Sequence, residues 1–518
     1  MRNQVQLIAY ADRLGGSIAG LDRLLAGRLA GLIGGVHVLP CYLPYDGADA
    51  GFDPADHRAV DPRLGSWADL GRLGTSRDLM LDLIVNHASV HSPQFRDVLA
   101  RGDSSPYAGM FLTFGRVFPA GATEADLLRI YRPRPGLPFT PVTAADGSRR
   151  LVWTTFTAEQ VDLDVADPQS RRYLLEVLDR MAAANVAAVR LDAAGYAVKT
   201  AGTSCFLTPE TFAFLADLTM EARRRGLEVL VEAHAHHRRQ VEIARQVDLV
   251  YDFALPPLVL HALFTGDAVP LLHWLEIRPH NAVTVLDTHD GIGVVDAGAD
   301  QDEPAVGGLL APAAIAALVE RIHGNSGGAS RLATGAGAAN VDVYQVNCTY
   351  YDALGRDDRR YLLARLLQFF TPGIPQVYYV GLLAGCNDTD LLARTGVGRE
   401  INRHRYGEEE VNAALGRPVV AALLRLIRFR NTHPAFTGEF AAGLSRDGRL
   451  ALEWRSGSSA ARLSANLVAA TYTLAWTAAD GSESSVTDVG DLPFWPVGTP
   501  GPCPPGAPSA RVGCTPAA

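Results

Sequence analysis

The sequence predicts an α/β chain: a (β/α)8 TIM barrel with loop-rich insertions on the catalytic face and a small C-terminal all-β domain. The first support is a set of eight short apolar runs. They are Val5–Tyr10, Gly35–Leu39, Met80–Val85, Val186–Leu191, Leu227–Val231, Leu249–Phe253, Ala282–Leu286 and Gln376–Val380. Their near-continuous hydrophobicity fits parallel strands buried on both faces, and eight is the number such a barrel needs. The second support is the helical periodicity between them, as in Arg171–Ala184 and Pro209–Arg225. The third is that four of the runs end in clusters of polar and charged residues, where a barrel opens its functional mouth.

Two spacings are too long for a simple βα unit. We therefore assign residues 1–86, 168–290 and 352–435 to the barrel, with insertions at 87–167 after strand three and 291–351 before strand eight. Long segments between strand and helix shape the pocket of a barrel. Alternating runs such as LALEWR (450–455) and ATYTLAW (470–476) predict a β domain over 436–497. The stretch 498–518 is a Pro/Gly-rich tail.

Composition narrows the function classes. The 518 residues are 48% hydrophobic and 20% charged, which is globular usage. A formal net charge of −9 argues against nucleic acid as a partner, so any phosphate must be met by locally placed arginines. We find no run of about 18 or more uncharged apolar residues, and so expect no membrane span. The first apolar run is too short for an export signal and is followed at once by Asp12 and Arg13. The six cysteines are scattered without a CxxC pair and are read as reduced thiols, which points to the cytoplasm.

The chemistry is concentrated at the strand ends. Strand three ends in Asn86-His87, strand four in Arg190-Leu191-Asp192, strand five in Glu232-Ala233-His234, and strand seven in Asp287-Thr288-His289-Asp290. One strand-terminal Asp is commonly a helix cap or a structural ion pair. Four such ends aimed at one mouth suggest chemistry, because burying several ionisable groups together is costly. Arg190 and Asp192 are two apart in a strand and face the same side, so the guanidinium is expected to hold Asp192 ionised. Glu232 is the matching acid, expected to keep its proton. Two such carboxyls suit cleavage of a glycosidic bond with retention. The run HAHH (His234, His236, His237) raises a metal alternative, but a metal hydrolase needs further ligands at other strand ends. His236 and His237 are read as solvated loop residues.

Motifs then add a resemblance. DLIVNH (82–87), VRLDAAGY (189–196), VLVEAHA (229–235) and VTVLDTHD (283–290) match in order the four signature regions of the α-amylase superfamily, glycoside hydrolase family thirteen, and QVDLD (160–164) matches its additional region. PYDGADAGFDPADH (44–57), YRPRPGLPFT (131–140), AGTSCFLTP (201–209) and REINRH (399–404) resemble the sucrose phosphorylases within it. The resemblance runs to about residue 435. It implies Asp192 as nucleophile, Glu232 as general acid/base and Asp290 as transition-state stabiliser. It places Arg190, His87 and His289 around a glucose subsite, Asp49 and Arg399 across its closed end, and Phe52 against the sugar ring. Tyr196, His234, Arg134, Asp342, Tyr344 and Gln345 are implied on the acceptor side, where fructose and phosphate alternate.

The resemblance further implies no metal and no organic cofactor, small-molecule partners (sucrose, inorganic phosphate, other glucosyl acceptors), and a homodimer. Ala233 and Val341 stand where Val and Leu would be expected, which enlarges the acceptor side. Alternatives are a phosphorylase for sucrose 6′-phosphate, glucosylglycerol or glucosylglycerate, and an α-glucosidase or transglucosidase of the same superfamily. A non-enzymatic relative would be expected to have lost the three carboxylates, and all three are present.

Overall fold

Strands with no polar face can only be buried on both sides, and the chain solves this by closing them into a ring. In the computed structural model, which describes residues 1–47, 49–133, 136–300, 303, 305–335, 345–477 and 481–493, eight parallel strands form a closed barrel. They are β1 (Gln6–Ala9), β2 (Gly35–Val38), β3 (Asp78–Ile84), β4 (Ala188–Asp192), β5 (Glu228–Val231), β6 (Leu249–Asp252), β7 (Ala282–Thr284) and β8 (Ile374–Tyr378). All eight fall on the apolar runs read from the sequence. Neighbours pair in chain order and β8 closes onto β1, with Gln6 opposite Gln376.

Helices return the chain between strands. The one after β3 spans Pro168–Ala183 and starts on Asp167, whose side chain accepts the Gln169 N–H, with Pro168 as the first helical residue. The one after β4, Pro209–Arg224, opens the same way on Thr208. Such caps end the preceding loops sharply, so the strand-end residues stay at the mouth rather than being drawn into helix.

The insertion after β3 is more ordered than its loop-rich sequence suggests. Helices at Pro93–Arg101 and Glu124–Arg129 and an antiparallel pair, Phe139–Thr143 with Arg149–Trp153, surround two small cores of their own. Phe95, Phe111 and Val161 belong to one, Phe118 and Trp153 to the other. A short antiparallel ladder ties this insertion to the barrel: His87–Ser89 pairs with Gln160–Asp162, His87 opposite Asp162. The second insertion carries the helices Pro312–Asn325 and Ala329–Gly335.

At the C-terminal end, β9 (Glu439–Leu444), β10 (Leu450–Ser456), β11 (Ser459–Asn466), β12 (Thr471–Thr477) and β13 (Glu483–Val486) form an antiparallel sheet in that order. Alternate residues of β10 and β12 are buried, as a one-sided sheet requires. Trp454 faces the barrel and donates its indole N–H to the Phe370 carbonyl at 2.7 Å. The tail beyond residue 493 lies outside the described residues.

Candidate active site

The register of β3 and β4 sets Arg190 beside Asp82. The Arg190 side chain is 2% exposed, and its Nη1 binds both Asp82 Oδ1 and Asp192 Oδ1, the latter at 2.8 Å. Its Nη2 lies 3.7 Å from Glu232 Oε1. Asp82 is held in turn by His37 at 2.8 Å and has its pKa lowered to about 2; burial would raise it, but His37 and Arg190 outweigh that. One buried guanidinium thus anchors both carboxyl groups at the barrel mouth.

Directly after Asp192 the chain turns through Ala193, a non-glycine residue in the left-handed region (φ 51°). The Ala193 N–H donates to Glu232 Oε2 at 3.0 Å, locking the second carboxyl against the first. The expectation that Arg190 keeps Asp192 low meets a stronger opponent. Burial, joined by the Glu232 charge, pushes the Asp192 pKa up against Arg190. The two carboxyls share one guanidinium, and Arg190 approaches Asp192 at 2.8 Å more closely than Glu232 at 3.7 Å, which favours the anion on Asp192.

Asp290 is held oppositely. Burial would raise its pKa, but Arg399, with Nη1 2.9 Å from Oδ1, and neighbouring His289 and Arg403 keep it well below the usual carboxylate range. That Oδ1 is buried against the Arg399 guanidinium. Arg399 lies 4.0 Å from Asp49, a looser pairing than the sequence suggests; its close contact is Asp290. Burial takes His289 down to about 3, so it is a neutral imidazole. Its ring stacks on Phe52 with centroids 4.7 Å apart.

One pocket is lined by Asp49, Phe52, His87, Asp192, Tyr196, Glu232, His234, His289, Asp290, Gln345 and Arg399, with Arg190 beneath it. Arg134, Asp342 and Tyr344 lie outside the described residues. Sequence reasoning missed Phe156 and Gln160. Both line the pocket, and the Gln160 amide nitrogen lies 3.2 Å from His87 Nε2. Gln160 opens the QVDLD motif, which was the available signal; nothing in the sequence marked Phe156.

Asp296 was also missed. It is fully buried and accepts from His234 Nδ1 at 2.9 Å, from the Ala235 N–H and from Gln240. Burial alone would lower the His234 pKa, but Asp296 reverses the direction and raises it. His234 is thereby made more basic, with its Nε2 3.8 Å from Glu232.

Two strand-end readings are corrected. Asp287 does not line the pocket: it pairs with the buried Arg365 at 2.6 Å. His236 and His237 are not solvated but 2% and 6% exposed, the first held by the Gly307 carbonyl and the second edge-on to Trp274. Neither joins a ligand cluster among the described residues. Glu232, His234 and Asp290 could each offer a metal one atom, within 4.8 Å of one another. Arg190 and Arg399 stand against those carboxylates, and a divalent cation would have to displace them.

Residues 33–218 match the family model described as the alpha amylase catalytic domain. The chain is 61% identical over 464 residues to a sucrose phosphorylase of Agrobacterium vitis, covering 89% of this chain and 95% of that one. It is 55% identical over 464 residues to the sucrose phosphorylase of Bifidobacterium adolescentis, with 89% and 92% covered. Among solved structures, sucrose 6F-phosphate phosphorylase from Thermoanaerobacter thermosaccharolyticum superposes with a TM-score of 0.86 at 38% identity, covering 94% of this chain and 98% of that one. A barrel mouth with paired carboxyls on one guanidinium, together with identity at this level over nearly the whole length, means that the chain belongs to the sucrose phosphorylase family of the α-amylase superfamily.

Proposed function

We propose that this protein transfers the glucosyl group of sucrose to inorganic phosphate, giving α-D-glucose 1-phosphate and D-fructose with retention of configuration. The observation that carries the reading is the placement of the Asp192 and Glu232 carboxyls on one buried guanidinium, 2.8 and 3.7 Å from Arg190. Double displacement needs one carboxylate to attack and one carboxyl to protonate. In this reading Asp192 attacks the anomeric carbon while Glu232 passes its proton to the bridging oxygen, and fructose leaves. Phosphate then attacks the β-glucosyl ester on Asp192, and the second inversion restores the α configuration. Asp290 takes hydroxyls of the sugar ring, and Phe52 with His289 offers it a flat wall.

Water and phosphate compete for the same ester, and water is far more abundant, so phosphate wins only if the site binds and orients it. Arg134 is our candidate partner, since a guanidinium offers forked donors and a fixed charge. His234, whose pKa Asp296 raises, is a second basic group on the same side in this reading. The test is the ratio of glucose 1-phosphate to free glucose across a phosphate titration. The protein should give mostly glucose 1-phosphate at saturating phosphate; mostly glucose would overturn the reading. Arg134→Ala should raise the apparent KM for phosphate strongly and leave slow hydrolysis of sucrose in place. If both reactions fell together, Arg134 would only be pinning its Pro-rich loop.

Asp49 and Arg399 close the far end of the pocket in this reading, leaving room for one glucosyl unit. Starch should therefore show no internal cleavage, read as the absence of short maltooligosaccharides. Their efficient release would sink the closed-end assignment. The reading also takes the protein to be a cytoplasmic homodimer. The free thiols Cys41, Cys205, Cys348 and Cys386 fit a reducing compartment, and no helix among the described residues is long and apolar enough to cross a membrane.

A further inference from the structure

Lysine and arginine together number 47 in this chain, and a single one of them, Lys199, is lysine. Its side chain is 1% exposed. The ammonium contacts Asp162 Oδ2 and the Tyr196 carbonyl, and it donates to Asn86 Oδ1 at 2.6 Å. Those three acceptors come from three separate segments: the end of β3, the ladder strand of the first insertion, and the turn after β4.

Each segment also supplies a wall of the pocket. Asn86 precedes His87, and its amide lies 3.3 Å from His87 Nδ1. Asp162 accepts the Thr155 N–H at 3.0 Å and the Thr155 hydroxyl, which fixes the chain beside Phe156. Tyr196 lines the pocket itself. The Phe156 ring meets His87 and Tyr196 nearly edge-on, with centroids 5.4 and 5.2 Å away. The ammonium sits where these walls join.

Everywhere else this sequence uses arginine as its basic residue, and here geometry explains the exception. Three acceptors converge on one nitrogen. An ammonium meets them with three donors on one rotating centre, whereas a guanidinium spreads its donors over a plane and needs more room. Both partners of the Lys199–Asp162 pair are out of solvent, so loss of the cation strands a buried carboxylate.

We propose that Lys199 is a positioning residue for the acceptor side of the pocket, holding the Tyr196 wall in place against Phe156 and the His87 segment through one nitrogen. The proposal rests on the phosphorylase reading given above, with Tyr196 on the acceptor side. Sucrose phosphorolysis by the unaltered protein tests that reading separately, so the two can fail independently. Lys199→Arg keeps the charge and Lys199→Met removes it. Either folded variant should show an acceptor KM, for phosphate in one direction and fructose in the other, raised about tenfold or more. A merely structural role would lower the active fraction and leave both KM values unchanged, and that result overturns the proposal.

The unaltered protein gives an independent reading that needs no variant to fold. Labelled with ¹⁵N at the lysine ζ position, the whole chain yields one lysine ammonium resonance. It should be slow to exchange with solvent and should shift when fructose or phosphate is added to saturation. A resonance that exchanges freely, or stays in place with both ligands, overturns the proposal.

Discussion

Asp192→Asn should lose nearly all phosphorolysis of sucrose, on the order of 10⁴- to 10⁶-fold in kcat, while remaining folded. That corresponds to about 5–8 kcal/mol of transition-state stabilisation, the scale for removing the group that forms the covalent bond. The amide keeps the size of the carboxylate and leaves Arg190 paired with Asp82. Stability should move the other way from activity. A carboxyl whose folded pKa is raised destabilises the fold progressively as pH climbs above its unfolded value, because burial disfavours the charge. At pH 7 the Asn variant should therefore melt at or above the unaltered protein. Near-normal sucrose cleavage would refute the nucleophile assignment. A sharply lowered Tm would show that the Asp192–Arg190 pair holds the barrel together rather than serving the chemistry.

That opposition between activity and stability also explains what the sequence could reveal. The barrel was legible because its strands are buried on both faces and leave uninterrupted apolar runs, so Gln6–Ala9 and its seven partners stand out without any structure. The candidate trio Asp192, Glu232 and Asp290 was legible because chemistry is the usual reason to line up carboxylates at several strand ends. What one strand end means individually was not legible. Asp287 looks like its neighbours Asp290 and His289, but its partner Arg365 is 78 residues away, on a helix that packs it out of the pocket. The first insertion hid its order for a related reason. Phe95, Phe111 and Val161 form one small core from positions too far apart to make a periodic pattern.

Charge balance was the other thing sequence could not supply. Two residues of separation in a strand do place Arg190 on the Asp192 side, and the 2.8 Å contact follows. The same separation says nothing about how deeply both are buried, and burial decides the direction of the Asp192 pKa. The reversed direction at His234 likewise depends on Asp296, which reaches it from 62 residues away. His236 and His237 were misread because a polar run reads as surface, whereas Trp274 and the Gly307 carbonyl cover them.

Glu232→Gln should separate proton donation from nucleophilic attack. The amide can still accept the Ala193 N–H through its oxygen, so the local arrangement seen at 3.0 Å is retained while the transferable proton is gone. Sucrose expels a fructosyl alkoxide, a poor leaving group that needs that proton. Loss of a general acid at this step is worth about 10²- to 10⁴-fold. α-Glucosyl fluoride expels fluoride with little help, so its loss should be much smaller. The comparison is kcat/KM for both donors in the unaltered and Gln proteins, at the same phosphate concentration. The Asn variant at position 192 serves as the contrast, because without a nucleophile both donors should fail alike. Equal losses on sucrose and on the fluoride in the Gln variant would mean that Glu232 is not the acid. His234, 3.8 Å from Glu232 and made more basic by Asp296, would then be the group to test for that proton.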